Sequence, residues 1–324
     1  MKAIVYRKNG PPEEVLTCEE LEKPVPGEQE VLIKVRAAAV NPLDVHMMKG
    51  APGLMRLLFR SRKLKVPGVD LAGVVEAVGS GVTLFKAGDA VFGACRGAFA
   101  EYAIASESKL AAKPEGLTFE DAAATPIAAL TALQGLRNCG KIQPGQSVLI
   151  NGASGGVGTF AVQLARIFGA HVTAVCSGRN AELVRSLGAD RVIDYTKEDF
   201  AKGTERYDLI FDLAGNHSYP ACKHILSPRG LWVGAGVLAG MKSLLAMFGG
   251  LIWALAVSRF SRQKFTTYVA KVNRDDLQYI GELLTSGKLK PVIDKRYALN
   301  EVREALRSQG TWRARGKLII EMGG

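Results

Sequence analysis

Between Ser147 and Val175 the chain reads Ser-Val-Leu-Ile-Asn-Gly-Ala-Ser-Gly-Gly-Val-Gly and continues Thr-Phe-Ala-Val-Gln-Leu-Ala-Arg-Ile-Phe-Gly-Ala-His-Val-Thr-Ala-Val. Val148–Ile150 is a short apolar run of the kind a buried strand makes. Gly152, Gly155, Gly156 and Gly158 then form a tight turn. Val157, Ala161, Leu164, Ala165 and Phe168 recur at helical spacing until Gly169 stops them, and His171–Val175 is a second apolar run. The pattern predicts a βαβ unit, which commits this half of the chain to a parallel sheet.

A glycine turn between a strand and a helix has a physical use. Without Cβ atoms the backbone can approach a pyrophosphate, and the free N–H groups at the helix start face the anion. Ala153-x-Gly155-x-x-Gly158 is a variant of the dinucleotide fingerprint with Ala for its first Gly. Its strand–turn–helix context favours a nucleotide site over an ordinary glycine-rich loop. Ser154, Gly155, Gly156 and Val157 are the expected contacts.

The end of the second strand decides which nucleotide. An NAD site usually places Asp or Glu there to grip the ribose 2′-hydroxyl. Here the chain reads Val175-Cys-Ser-Gly-Arg-Asn180, with no acid. Ser177 and Arg179 offer a hydroxyl and a guanidinium, which suit a 2′-phosphate, so NADPH is the expected cofactor. Ligands bind outside the carboxyl ends of such strands, so Leu213-Ala214-Gly215 and Gly234-Ala-Gly236 should border it.

The rest of the chain frames this site. Its 324 residues suffice for two domains. The net charge of +11 favours anionic partners, but no zinc-finger or aromatic RNA-binding signature accompanies it, so no specific nucleic-acid role is expected. Five scattered cysteines, with no Cys-x-x-Cys pair, suit a reducing compartment. Met1-Lys-Ala-Ile-Val-Tyr-Arg opens directly into a strand pattern without a secretory signal, and a cytoplasmic location is expected.

Residues 1 to about 120 read as β-rich, with strand-like runs at Lys2–Tyr6, Val31–Val40, Gly73–Val78, Ala90–Phe92 and Ala98–Ile104, punctuated by Pro and Gly. A helical pattern follows over Phe119–Arg137, broken at Pro126. After the βαβ unit, helices near Ala181–Leu187 and Tyr219–Leu226 alternate with strands at Arg191–Tyr195, Tyr207–Leu213 and Leu231–Gly234, the last entered by a turn at Pro228-Arg-Gly230. The tail reads as a helix near Arg274–Thr285, a strand at Val292–Tyr297 and a helix near Leu299–Ser308. Leu231 to Val257 is nearly all apolar, but five glycines interrupt it, and a buried strand plus a greasy insertion explains it better than a membrane span. Ser258-Arg-Phe-Ser-Arg-Gln-Lys264 follows, so a surface-lying membrane contact stays open.

Several segments together are specific. Ala38-Ala-Val-Asn-Pro-Leu-Asp44, Pro67-Gly-Val-Asp-Leu-Ala-Gly-Val-Val75, Gly88-Asp-Ala-Val-Phe-Gly93, Ala98-Phe-Ala-Glu-Tyr102, Leu130-Thr-Ala132, Asn151–Gly158 and Ala314-Arg-Gly-Lys317 resemble the zinc-less quinone oxidoreductase branch of the medium-chain dehydrogenase/reductase family. The resemblance covers essentially the whole chain. It implies an α/β fold in which a GroES-like β-rich catalytic domain (1–124 and 266–324) flanks a doubly wound Rossmann domain (125–265). It also implies NADPH, frequent homodimers, and reduction of quinones or α,β-unsaturated carbonyls. By motif position, Asn41 and Asp44 are expected near the nicotinamide and substrate, Thr131 near the carboxamide and Tyr195 near the adenosine phosphate. Arg315 or Lys317 matches the basic carboxyl-terminal position of the family, and both are expected cofactor contacts. Zinc relatives carry Gly-His-Glu where this chain has Gly68-Val69-Asp70, and their four-cysteine lobe has no counterpart here, so no metal is expected.

The expected chemistry is hydride transfer to a quinone or conjugated enone, with Asn41 or His46 donating to the acceptor oxygen and water or His46 supplying the proton. An enone, alkenal or alcohol oxidoreductase is the alternative within the family. A non-catalytic NADPH-binding sensor is the alternative of another class. Two basic, greasy stretches, Leu54–Lys65 and Met241–Lys264, read either as a lid resting on anionic lipid or as a loop and a dimer-packing helix.

Overall fold

A computed structural model describes residues 1–49, 64–235 and 262–323. Within it the chain divides into two units, Met1–Leu130 with Val272–Gly324, and Thr131–Lys271. The expected boundaries at 124/125 and 265/266 fall six residues before each division. Leu130 supplies one reason: it is buried against Ala37, Ala72 and Leu277 of the first unit, so the chain leaves that unit only after it.

In the first unit, β1 (Lys2–Val5) pairs antiparallel with β2 (Thr17–Glu20). The long β3 (Glu30–Val40) is central to a larger sheet, pairing antiparallel with β4 (Asp70–Val78) along most of its length. β4 carries β5 (Ala90–Ala94), β6 (Tyr102–Ser106) pairs with the first half of β3, and β7 (Leu110–Ala112) pairs with β5. Val31, Ile33, Leu71, Val75, Val91 and Phe99 are buried in its main core. Asn41 follows β3 directly, and the helix Pro42–Lys49 starts at once, a proline suiting the first helical turn.

The helical pattern expected over Phe119–Arg137 is three pieces: helices Phe119–Ala123 and Pro126–Leu133, then a π-helical segment Gln134–Cys139. Thr118 caps the first by accepting from the Asp121 N–H at 3.0 Å.

Among its described residues the second unit has one parallel sheet of six strands: β8 (Ser147–Asn151), β9 (His171–Cys176), β10 (Arg191–Asp194), β11 (Tyr207–Asp212), β12 (Leu226–Gly234) and β13 (Lys264–Thr267). Their order is β10-β9-β8-β11-β12-β13. Renumbered within the unit this is 3-2-1-4-5-6, the doubly wound arrangement in which the order reverses beside the first strand. The helix Gly156–Ile167 connects β8 to β9 and buries Phe160, Ala161, Leu164 and Ala165.

Two expectations are corrected here. The helix near Tyr219–Leu226 is a short turn of helix, Tyr219–Cys222, followed by a 3₁₀ turn, Lys223–Ile225. The turn at Pro228-Arg-Gly230 lies within β12 instead. The pairing of β11 with β12 jumps from Tyr207↔Leu226 to Leu209↔Leu231, and the extra residues include Pro228, which has no N–H to lose at such an irregularity.

The chain then returns to the first unit. Asn273 caps the helix Arg274–Thr285, and β14 (Ile293–Ala298), the helix Val302–Gly310 and β15 (Lys317–Glu321) follow. β15 lies between β14 and β3, so the last strand completes the first sheet. Of the apolar run from Leu231, the first residues are β12. Residues 54–63 and 241–261 of the two greasy stretches lie outside the described residues. Among the described residues, no helix is long and apolar enough to cross a membrane.

Candidate cofactor and active site

β8 ends at Asn151, and the glycine turn leads into the helix Gly156–Ile167. A Cβ on Gly158 would stand 2.2 Å from the Gly152 carbonyl oxygen, so only glycine lets the first helical turn lie this close to the loop. Beside Gly155 the same construction meets only the Gly152 oxygen at 3.5 Å. Gly155 is the N-cap and provides no side-chain acceptor, so the first N–H groups of the helix have no side-chain cap. This is the arrangement a pyrophosphate needs: donors in a cradle that side chains do not fill.

Around the turn, side chains that the sequence reading did not single out hold the strand ends together. Buried Asn151 donates from Nδ2 to Asp212 Oδ1 at 2.8 Å and to Asn216 Oδ1 at 2.7 Å, tying β8 to the loop after β11. Asp212 Oδ1 also accepts from the N–H groups of Ala214 and Gly215. Burial raises the Asp212 carboxyl above its usual range, against these hydrogen bonds. Ala214, an expected cofactor neighbour, therefore has its amide spent on shaping its own loop.

After β9, Ser177 and the 3₁₀ turn Gly178–Asn180 follow, with Arg179 exposed and Asn180 buried. Asn180 Nδ2 donates to Ser154 Oγ at 2.9 Å and to Ser177 Oγ at 3.2 Å. Its Oδ1 is buried with no partner among the described residues, at a cost of about 1–3 kcal/mol for an unanswered group.

The acid missing from the end of β9 is brought close by the neighbouring strand. Asp194, at the end of β10, accepts from the Thr196 N–H at 3.0 Å and Oγ1 at 2.7 Å. These bonds, with one from the Gly178 amide, hold its carboxyl below the usual range. A Cβ at Gly178 would lie 2.3 Å from Asp194 Oδ2, so glycine is what admits this carboxylate.

Tyr195 follows, 58% exposed, its N–H bonded to the Cys176 carbonyl. Ser154 to Val157, Ser177, Arg179, Tyr195 and Ala214 thus lie at the carboxyl ends of neighbouring strands of one sheet. Thr131, on the helix Pro126–Leu133, accepts through its carbonyl from the Tyr268 hydroxyl. Gly236 lies outside the described residues.

The first unit holds a second polar group. Asn41, Asp44, Asp70 and Lys317 are all buried. Lys317 Nζ donates to Asn41 Oδ1 at 2.6 Å and reaches Asp70 Oδ2 at 3.3 Å. Asn41 Nδ2 donates to Asp70 Oδ2 at 2.9 Å and to the Ala39 carbonyl at 3.4 Å. Asp70 Oδ1 accepts from the Ile127 N–H, and Asp44 Oδ2 from the Asn41 N–H. Burial pushes Asp44 up to about 7, with the Asp70 charge adding to it and Lys317 and backbone N–H groups opposing it. Burial likewise raises Asp70, against Lys317 and Asn41.

This network corrects two expectations. Both ends of the Asn41 amide are used inside the fold, so it has no N–H left for an acceptor oxygen. The Lys317 ammonium is spent on Asp70 and Asn41 and is not presented to a cofactor, whereas Arg315 is exposed. His46, on the helix Pro42–Lys49, is exposed, its ring centroid 6.2 Å from that of Trp312. At the place of the zinc relatives' Gly-His-Glu motif, Asp70 faces an ammonium. No group of three or more His, Cys, Asp or Glu among the described residues is arranged to hold a metal ion.

Comparison with known proteins bears on both units. The model of the alcohol dehydrogenase GroES-like domain matches residues 27–115, and that of the zinc-binding dehydrogenases matches residues 187–320. The chloroplastic quinone-oxidoreductase QR1 of Triphysaria versicolor is 35% identical, covering 99% of this chain and 98% of its own. The chain belongs to the zinc-less quinone-oxidoreductase branch of the medium-chain dehydrogenase/reductase family. Among solved structures, the quinone oxidoreductase from Coxiella burnetii matches with a TM-score of 0.86 and 31% identity over 99% of both chains. The Escherichia coli quinone oxidoreductase complexed with NADPH matches with a TM-score of 0.82 and 25% identity, over 99% of this chain and 100% of that one.

Proposed function

We propose that this family member is an NADPH-dependent reductase of quinones and α,β-unsaturated carbonyls that works without zinc. The observation that carries the reading is the uncapped glycine cradle at the point where the parallel sheet reverses its strand order, with serine hydroxyls and Arg179 beside it and no acid at the end of β9. A relative solved with NADPH supports the same cofactor. When bound, NADPH supplies a hydride, and a quinone or enone that takes it also takes up one proton.

The residues divide the work as follows. Backbone N–H groups from Gly155 to Gly158 hold the pyrophosphate, while Ser154, Ser177 and Arg179 meet the 2′-phosphate and Tyr195 the adenosine side. His46 is the side chain of the expected catalytic set that remains exposed, and it delivers the proton directly or through water. Asn41, Asp44, Asp70 and Lys317 act as a buried brace that fixes the start of the helix carrying His46. A homodimer follows from the resemblance and a reducing, cytoplasmic setting from the scattered cysteines, while the two basic, greasy stretches serve either as a lid on anionic lipid or as a loop and a dimer-packing helix.

The test is NADPH consumption against a panel of quinones, enones and aldehydes, run beside calorimetric titration with NADPH. Turnover with quinones or enones, faster than with aldehydes, is the expected result. Tight NADPH binding with no consumption in the presence of any acceptor would overturn the reductase.

A further inference from the structure

Asn180 closes the 3₁₀ turn Gly178–Asn180, which runs directly into the helix Ala181–Ser186 and already bonds the Ala181 N–H to the Gly178 carbonyl. Its side chain is therefore not needed as a helix cap and makes no cap bond. Its side chain turns to the glycine turn and to the end of β9, donating to Ser154 Oγ and Ser177 Oγ. The carboxamide has two N–H bonds to give, and both lie on serines of the cofactor site. Its oxygen is buried and unanswered. Stability alone does not select an arrangement that buries an orphan acceptor.

The consequence lies in the polarity of the two hydroxyls. A serine oxygen that accepts from an amide keeps its own proton for another acceptor. Neither serine donates to another group among the described residues, and both are partly exposed. One stands in the turn after β8 and the other at the end of β9, so the amide presets two O–H donors across the gap between adjacent strand ends. Anionic oxygens are the acceptors that reward such donors most.

We infer that Asn180 is a positioning residue that sets the preference for a 2′-phosphorylated cofactor, by holding the Ser154 and Ser177 hydroxyls as donors. The inference rests on the NADPH reading above. An aspartate at 180 has nearly the same shape and the opposite sense: it can only accept, which draws both hydroxyl protons inward and adds a negative charge. Alanine removes the orientation without adding charge.

The test measures NADPH and NADH dissociation constants by calorimetry for the full chain and for N180D, N180A, S154A/S177A and the triple variant, with thermal melting of each free protein. Wild type is expected to prefer NADPH. N180D should weaken NADPH by about tenfold or more, with NADH changed by less than about threefold. N180A should fall between N180D and wild type. In the S154A/S177A background, N180A should cost nothing further, because no hydroxyl remains to be oriented. Wild-type preference retained in N180D and N180A overturns the inference while leaving the NADPH reading intact. So does an equal loss of both cofactors with a lowered melting temperature, which marks a structural role. A wild-type protein that does not distinguish the two cofactors overturns the NADPH reading, and this inference with it.

Discussion

Asp44 and Asp70 are two carboxylates buried with a single ammonium, that of Lys317. Burial lifts Asp44 to about 7, so the folded protein holds this proton where the unfolded chain has lost it. Below about pH 4 both states are protonated and the contribution is complete. As pH rises toward 7, folding must take up a proton, and stability falls by up to about 1.4 kcal/mol per pH unit from this group. Above 7 the loss levels off. D44N removes the titration and keeps an acceptor for the Asn41 N–H. The stability of D44N relative to wild type, from denaturant unfolding at several pH values, should therefore rise between about pH 4 and 7 and then become constant. Parallel profiles for the two proteins would mean that Asp44 carries its charge in the fold like an ordinary carboxylate.

The motif positions of Asn41, Asp44 and Lys317 were legible from the sequence, but their roles were not. Asn41 is separated from Asp70 by 29 residues and from Lys317 by 276, and only pairing of β15 and β4 with β3 puts them together. Asn180 acquires its role in the same way, since its partner Ser154 lies 26 residues earlier.

Elements with strong local signals were readable in advance. The strand–glycine turn–helix unit combines helical apolar spacing with turn residues, and it forms where the pattern places it. Its close contact is testable. Because a Cβ on Gly158 would collide with backbone at Gly152 and Ala153 rather than with a movable side chain, G158A should cost about 1–3 kcal/mol in urea unfolding. It should also weaken NADPH and NADH alike, since the turn that both pyrophosphates use must shift. Unchanged stability and affinity would show that the turn yields freely. Pro228 and Gly230 in β12 are turn residues by local preference. They sit in the irregularity between Leu226 and Leu231, and the strand is held by the pairing of residues 231–234 with β11 and β13 on either side.

At the scale of the whole molecule, an excess of basic residues gives a net charge of +11, which attracts a polyanionic cofactor over distances that salt screens. NADPH carries the additional phosphate, so its dissociation constant should rise more steeply with sodium chloride than that of NADH between about 0.02 and 0.5 M. Identical salt slopes would mean that the 2′-phosphate is not read by charge.

What the amino-acid order determined alone is what short-range physics encodes: the period of apolar residues, glycines where a turn needs them, and the absence of an acid after the second strand of the βαβ unit. Those suffice for a parallel nucleotide-binding sheet and a β-rich partner unit. Only the tertiary structure decided which polar groups are free for chemistry. Burial and pairing across long stretches of chain withdrew Asn41 and Lys317 from ligands, brought Asp194 against Gly178, and set Asn180 between two serines. Whether a donor is available depends on what else lies within about 3 Å of it, and residues distant in sequence supply those neighbours.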